Sequence, residues 1–183
     1  KRLHELAHVY AGAWNEKAEQ VTYALATVEI RLMYLSRAKP FGLTIYGDTY
    51  WGNSEYSGEL TSCFAGRSLD YATETPHLYH NAKINLCVLK PNFVEMIPLR
   101  MFDTMACGGF LIAEHRPVFE EYFEPGSHLE FFRDPDELEE KISYYLSHDD
   151  QRREIARKGR EKVLAEHTFG SRLKQIMNWF EET

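Results

Sequence analysis

From Ile84 to Phe132, short apolar runs and amphipathic stretches follow one another in strict alternation. Ile84-Asn-Leu-Cys-Val-Leu89 comes first, then a stretch opening at Pro98, Gly109-Phe-Leu-Ile-Ala113, a stretch from Val118 to Phe123, and Leu129-Glu-Phe-Phe132. Apolar runs this short are strands buried on both faces, and strand–helix–strand alternation closes into right-handed crossovers of a parallel sheet. The pattern predicts an α/β fold, a Rossmann-like parallel sheet flanked by helices.

The flanks extend this reading. Leu3 to Arg37 is rich in Ala, Leu, Glu and Lys, with Leu25, Val28, Leu32 and Leu35 at helical spacing, which predicts two helices or one broken near Gly12. Pro40 and Gly42 stop it. Leu43-Thr-Ile-Tyr46 reads as a first strand ending at Gly47-Asp48, Thr49 to Glu59 as a loop, Leu60 to Gly66 as a second strand and Thr75 to His80 as a short helix. Asp134-Pro-Asp-Glu137 combines a capping aspartate, a proline at the first helical position and acids in the first turn, so a helix is expected to run to Ser147. Asp149 or Asp150 is expected to cap another, reaching His167. Thr168 opens a last amphipathic helix bearing Leu173, Ile176, Met177 and Phe180. The organisation expected is a helical segment at 1–40 and a Rossmann-like domain at 41–183, with a helical C-terminal third.

Composition bounds the function. A chain of 183 residues with 44% hydrophobic and 14% aromatic residues can build a sizeable core. A net charge of −7 and a pI near 5.6 argue against a nucleic-acid or anionic-membrane partner, which would call for a basic stripe. No stretch reaches the roughly 18 apolar residues of a membrane span, and no signal-peptide pattern opens the chain. Cys63, Cys87 and Cys107 lie in apolar settings without C-x-x-C spacing, which reads as reduced thiols and a cytoplasmic location. The opening Lys1-Arg-Leu-His lacks a methionine, as expected of an excised domain.

The residues that suggest chemistry cluster at Pro98-Leu-Arg-Met-Phe-Asp103. A proline at the first helical position sacrifices an N–H that would be unpaired anyway, and the exposed amides beside it attract anions. Arg100 adds a full positive charge, and Asp103, one turn on, can accept hydrogen bonds from ligand hydroxyls. The combination suggests a nucleotide-like ligand. The structural alternative is a buried stripe of Leu99, Phe102, Met105 and Ala106 with Arg100 and Asp103 as a solvated ion pair. Glu95 precedes Asp103 by seven intervening residues, so two carboxylates can flank one sugar. Gly108 and Gly109 mark a left-handed cap and a close approach before the next strand, from tight packing, ligand contact or both. Gly47-Asp48 and Gly52 can bring amides near a phosphate. Tyr79, Lys83 and Asn85 are candidates for the crevice at the carboxyl ends of the strands, against ordinary packing. His4 with His8 and His77 with His80 are close pairs lacking a third ligand at a recognisable spacing, so no metal site is expected. His115 and His128 follow strands.

A series of motifs gives these residues a context: Ala82-Lys-Ile-Asn-Leu86, Ile97-Pro-Leu-Arg-Met-Phe-Asp103, Ala106-Cys-Gly-Gly-Phe-Leu111, Tyr122-Phe-Glu-Pro-Gly126, Asp136-Glu-Leu-Glu-Glu-Lys-Ile142, Tyr145-Leu-Ser-His148, and Arg153-Glu-Ile-Ala-Arg-Lys-Gly159 with His167-Thr168. In order and spacing, His80 to Phe180 resembles the C-terminal domain of the spore-maturation-protein-like glycosyltransferases, a branch of the group 1 glycosyltransferases. The resemblance implies the donor-binding half of a two-lobed GT-B enzyme, with the acceptor lobe absent from this chain. It implies a nucleotide-diphosphate sugar as donor, an unknown glycan, protein or small-molecule acceptor, and no cofactor. In the broader group an acidic pair seven residues apart contacts the donor, its second member binding the ribose. Asp103 takes that second place, as aspartate instead of glutamate, and Glu95 the first, as candidate catalytic residue. The donor-binding set expected is Gly47, Asn85, Pro98, Leu99, Arg100, Asp103, Gly108 and Gly109. Retention of anomeric configuration is the outcome to which the group points. A noncatalytic sugar-nucleotide-binding or assembly module is the alternative, and a nucleotide-sugar epimerase a third reading.

Overall fold

The computed structural model describes residues 16–91 and 95–181, with side chains described from residue 25 onward. The helix expected before Gly12, and His4 and His8 with it, lie outside these residues. Helix α1 (Glu16–Ala38) runs into a tight turn at Lys39–Phe41, closed by Gly42 in the left-handed conformation at φ 83°. The Pro40 and Gly42 stop acts where expected.

The next segment departs from expectation. The strands expected at Leu43–Tyr46 and Leu60–Gly66 contract to a single parallel bridge between Ile45 and Phe64. The loop expected at 49–59 is instead a 3-10 turn at Thr49–Gly52 followed by helix α2 (Ser54–Ser57), and a further 3-10 turn spans Gly58–Cys63. Side chains here bond their own backbone and win over strand pairing. Asp48 caps Tyr50 N at 3.0 Å, Asn53 caps Glu55 N at 2.8 Å, Ser57 donates to Trp51 O and Asn53 O, and Thr61 donates to Gly58 O.

From Thr75 onward the alternation holds. Helix α3 (Thr75–Asn81) leads to β1 (Asn85–Cys87), α4 (Leu99–Ala106), β2 (Leu111–Glu114), α5 (Pro117–Glu120) and β3 (Glu130–Phe132). The three strands form one parallel sheet in the order β1-β2-β3, with Cys87 opposite Ala113 and Glu114 opposite Phe132. Every residue of β2 and β3 is buried. Period-two alternation then sends neighbours to opposite faces. Ile112, Phe132 and Val88 pack with Tyr34 and Ala38 of α1 and with Leu138, Ile142 and Tyr145, whereas Leu111, Ala113, Phe131 and Cys87 pack with Met101 and Met105 of α4, Phe119 and Val163.

The C-terminal third is helical: α6 (Pro135–Ser147), α7 (Asp149–Glu166) and α8 (Phe169–Glu181). Asp134 caps α6 as expected, its carboxylate accepting from Asp136 N and Glu137 N at 3.0 and 2.9 Å. The cap position of α7 is His148, without a side-chain cap, and Asp149 is its first helical residue, paired with the buried Arg152 at 2.6 Å. Among the described residues no helix is long and apolar enough to cross a membrane.

Candidate functional site

The segment after β1 is anchored before it reaches α4. Leu89 N donates to the buried Glu114 carboxylate at 2.9 Å, and Glu114 in turn pairs with Arg116 at 2.9 Å. This fixes the start of the loop that carries Glu95, which is exposed in a bend. Pro98 then occupies the cap position with extended backbone (φ −62°, ψ 137°), one residue earlier than expected, and Leu99 is the first helical residue. The amides of Leu99 and Arg100 have no acceptor among the described residues, so the start of α4 presents free N–H groups with partial positive charge.

Of the expected stripe, Met105 is buried and Phe102 and Ala106 pack partly buried against the same core, whereas Leu99 is 53% exposed and Met101 and Thr104 are buried in its place. Arg100 is exposed, and its guanidinium has no ion-pair or hydrogen-bond partner among the described residues. The Arg100–Asp103 ion pair of the structural alternative is not formed among the described residues. Asp103 instead accepts a 2.7 Å hydrogen bond from the Tyr71 hydroxyl, which pushes the Tyr71 phenol up to about 12.

Arg100 and Thr104 form one wall of a cleft of about 860 Å³. The cleft runs between the consecutive residues Leu43 to Gly47 and Ile84 to Val88, with Arg31 and Leu35 of α1 behind it. Taking the Ile45 and Phe64 segments as first and second in chain order, the spatial order is 2-1, cleft, 3-4-5. The cleft therefore lies where the strand order reverses, the position at which open parallel sheets bind ligands beyond the carboxyl ends of their strands. Gly47, Arg100 and the start of α4 stand at that end. Gly47 N donates to Arg67 O at 3.2 Å, and Ser68 Oγ donates to Gly47 O at 2.7 Å.

Asn85, with Tyr79 and Lys83, lines the same cleft at the amino end of β1, whereas Gly108 and Gly109 lie ahead of β2 and are not in its lining. Asn85 opens β1 and spends its amide on Tyr79 O at 3.0 Å and Phe110 O at 3.2 Å. Gly108 has φ 77°, and a Cβ on Gly109 would collide with Tyr79 O and the Asn85 amide. Asn85 and Gly109 close up against Tyr79 O at the amino end of the sheet, where α4 ends after running back from the carboxyl edge. Among the described residues there is no group of three metal-ligating side chains. His80 bonds Cys107 O at 3.0 Å, and His115 bonds Glu120 at 2.8 Å. Of the three thiols only Cys87 is buried, and burial pushes it up to about 11. Tyr71 and Glu114 escaped the sequence reading. Glu114 had a signal, an acid ending an otherwise apolar strand; Tyr71 had none.

Residues 29–178 match the family model described as glycosyl transferase-like. The chain belongs to this family. Its fold is similar to that of HepE from Anabaena, solved as a crystal structure in complex with UDP-glucose, with a TM-score of 0.55 and 15% sequence identity. That likeness covers 72% of this chain and 38% of HepE, so the chain spans well under half of the HepE length. No curated protein matches.

Proposed function

We propose that this chain is the donor-binding lobe of a glycosyltransferase that takes a nucleoside-diphosphate sugar. The single observation that carries the reading is the pairing on one helix of an unpartnered Arg100 at the mouth of the cleft with Asp103 one turn away. The diphosphate lies against Arg100 and the free amides of Leu99 and Arg100, with Pro98 fixing the entry of the chain and Gly47, closely backed by the Trp51 indole, on the facing side. A guanidinium and helix amides held in place before reaction stabilise the charge that develops on the departing diphosphate. Asp103 accepts from the ribose hydroxyls. Glu95 reaches toward the sugar from the loop that Glu114 anchors. Asn85, Gly108 and Gly109 contribute by keeping β1 and β2 in register beneath the site.

Membership of the glycosyl transferase-like family and the UDP-glucose bound by HepE support a sugar nucleotide as ligand, uridine-based first. The ordered motifs from Ala82 to Thr168 support the spore-maturation-protein-like branch. Transfer as a whole, with its acceptor, belongs to this proposal because the chain spans 38% of HepE. Calorimetric titration of the full chain with uridine, guanosine, cytidine and thymidine diphosphates tests it. One of the four is expected to saturate a single site, and Arg100→Ala to weaken that binding about tenfold, the value of one charge-assisted contact. Absence of binding to all four would overturn the reading.

A further inference from the structure

The segment that follows the Ile45–Phe64 bridge borders the cleft at Ser68, Leu69 and Thr75. At one end it is tied to Gly47, through Arg67 O and Ser68 Oγ, and at the other to α4, through the Tyr71 hydroxyl on Asp103. Its shape is set internally. Asp70 accepts from Ala72 N, Thr73 N and Thr73 Oγ1, Glu74 accepts from Asp70 N and pairs with Arg67, and Gly66 enters the segment at φ 81°. A turn organised by its own hydrogen bonds presents Tyr71 at its tip, yet the Tyr71 ring is 61% exposed. The exposed side chain is tied to α4 by the hydrogen bond of its hydroxyl to Asp103.

Resting on the assignment of Asp103 to the ribose, we propose that Tyr71 is a placeholder: its hydroxyl occupies the Asp103 carboxylate in the empty protein and must be displaced when a ligand diol binds there. The phenol supplies the same donor that a ribose hydroxyl supplies, so Asp103 keeps a partner in both states. The exchange of one O–H···O bond for another makes the displacement inexpensive.

Tyr71→Phe removes the competing hydroxyl and leaves the exposed ring and the turn in place. The full chain and this variant are titrated with uridine diphosphate and with its 2′,3′-dideoxy analogue. The expected result is about five- to tenfold tighter binding of uridine diphosphate by Tyr71→Phe, the scale of one hydrogen bond to a charged group in a partly exposed setting, with no gain for the dideoxy analogue. Equal affinities of the two proteins for uridine diphosphate, weaker binding by the variant, or an equal gain for both nucleotides would each overturn the placeholder while leaving the ligand assignment standing. Failure of both proteins to bind either nucleotide would overturn the ligand assignment and the placeholder with it.

Discussion

Glu114, the last residue of β2, accepts the amide hydrogen of Leu89 at 2.9 Å and so joins the centre of the sheet to the loop that leads into the site helix. Glu114 is buried and shares its charge with Arg116 at 2.9 Å. Removing the carboxylate leaves both a guanidinium and a backbone N–H without their acceptor. Glu114→Ala is expected to destabilise the fold by about 2–3 kcal/mol, and Glu114→Gln, which retains an acceptor, by about 1 kcal/mol. Urea denaturation reads the difference; equal stability of the two variants would contradict it.

The two glycines ahead of β2 differ in why they are glycine. Gly109 is sterically enclosed, with Tyr79 O and the Asn85 amide where a Cβ would stand, whereas Gly108 has the left-handed backbone at φ 77° and a Cβ there meets only ordinary contacts. Gly109→Ala forces backbone apart at the amino end of the sheet and is expected to cost about 2–3 kcal/mol. Gly108→Ala carries only the conformational penalty of about 1 kcal/mol. Thermal unfolding ranks them, with Gly109→Ala melting lower.

His167 joins α7 to α8. Its Nδ1 accepts from Arg172 at 2.9 Å, its Nε2 is buried without a partner among the described residues, and the Phe102 and Phe123 rings lie 5.4 Å from its own. Burial, and then the Arg172 charge, lower its pKa from the ordinary 6.5. The unfolded chain therefore takes up a proton there before the folded chain does. This contribution to stability is complete above about pH 6.5 and is lost as pH falls through and below that value. His128, also lowered chiefly by burial, acts in the same direction. Denaturation midpoints are expected to fall between about pH 6.5 and 5, with a shallower fall in His167→Gln. An unchanged slope in the variant would remove His167 from the account.

The sequence read best where one physical pattern ruled alone. The apolar runs at Ile84, Gly109 and Leu129 became strands, the last two fully buried, and Asp134-Pro135 began a helix at the position that its cap dictates. It read worst where two local tendencies competed. Leu60 to Gly66 has strand-like residues, but Ser57, Thr61 and Ser62 bond nearby carbonyls and wind the segment into a 3-10 turn. On the site helix, Phe102, Met105 and Ala106 pack on the core as the stripe predicts, whereas Leu99 is exposed and Thr104 buried, a detail that apolar spacing does not carry. Nothing in the sequence tells that Asn85, Gly108 and Gly109 stand at the amino end of the sheet, where Asn85 lines the cleft. The Tyr71–Asp103 bond joins residues 32 apart in the chain, a relation that exists only after folding.

The central claim is that the Asp103 carboxylate receives the ribose of a nucleoside diphosphate. The most direct measurement is calorimetric titration of the full chain and of Asp103→Asn with uridine diphosphate under identical salt. Asparagine preserves shape and removes the charge, so the account predicts a loss of affinity of about tenfold or more in the variant. Binding of equal strength in the two proteins would contradict it.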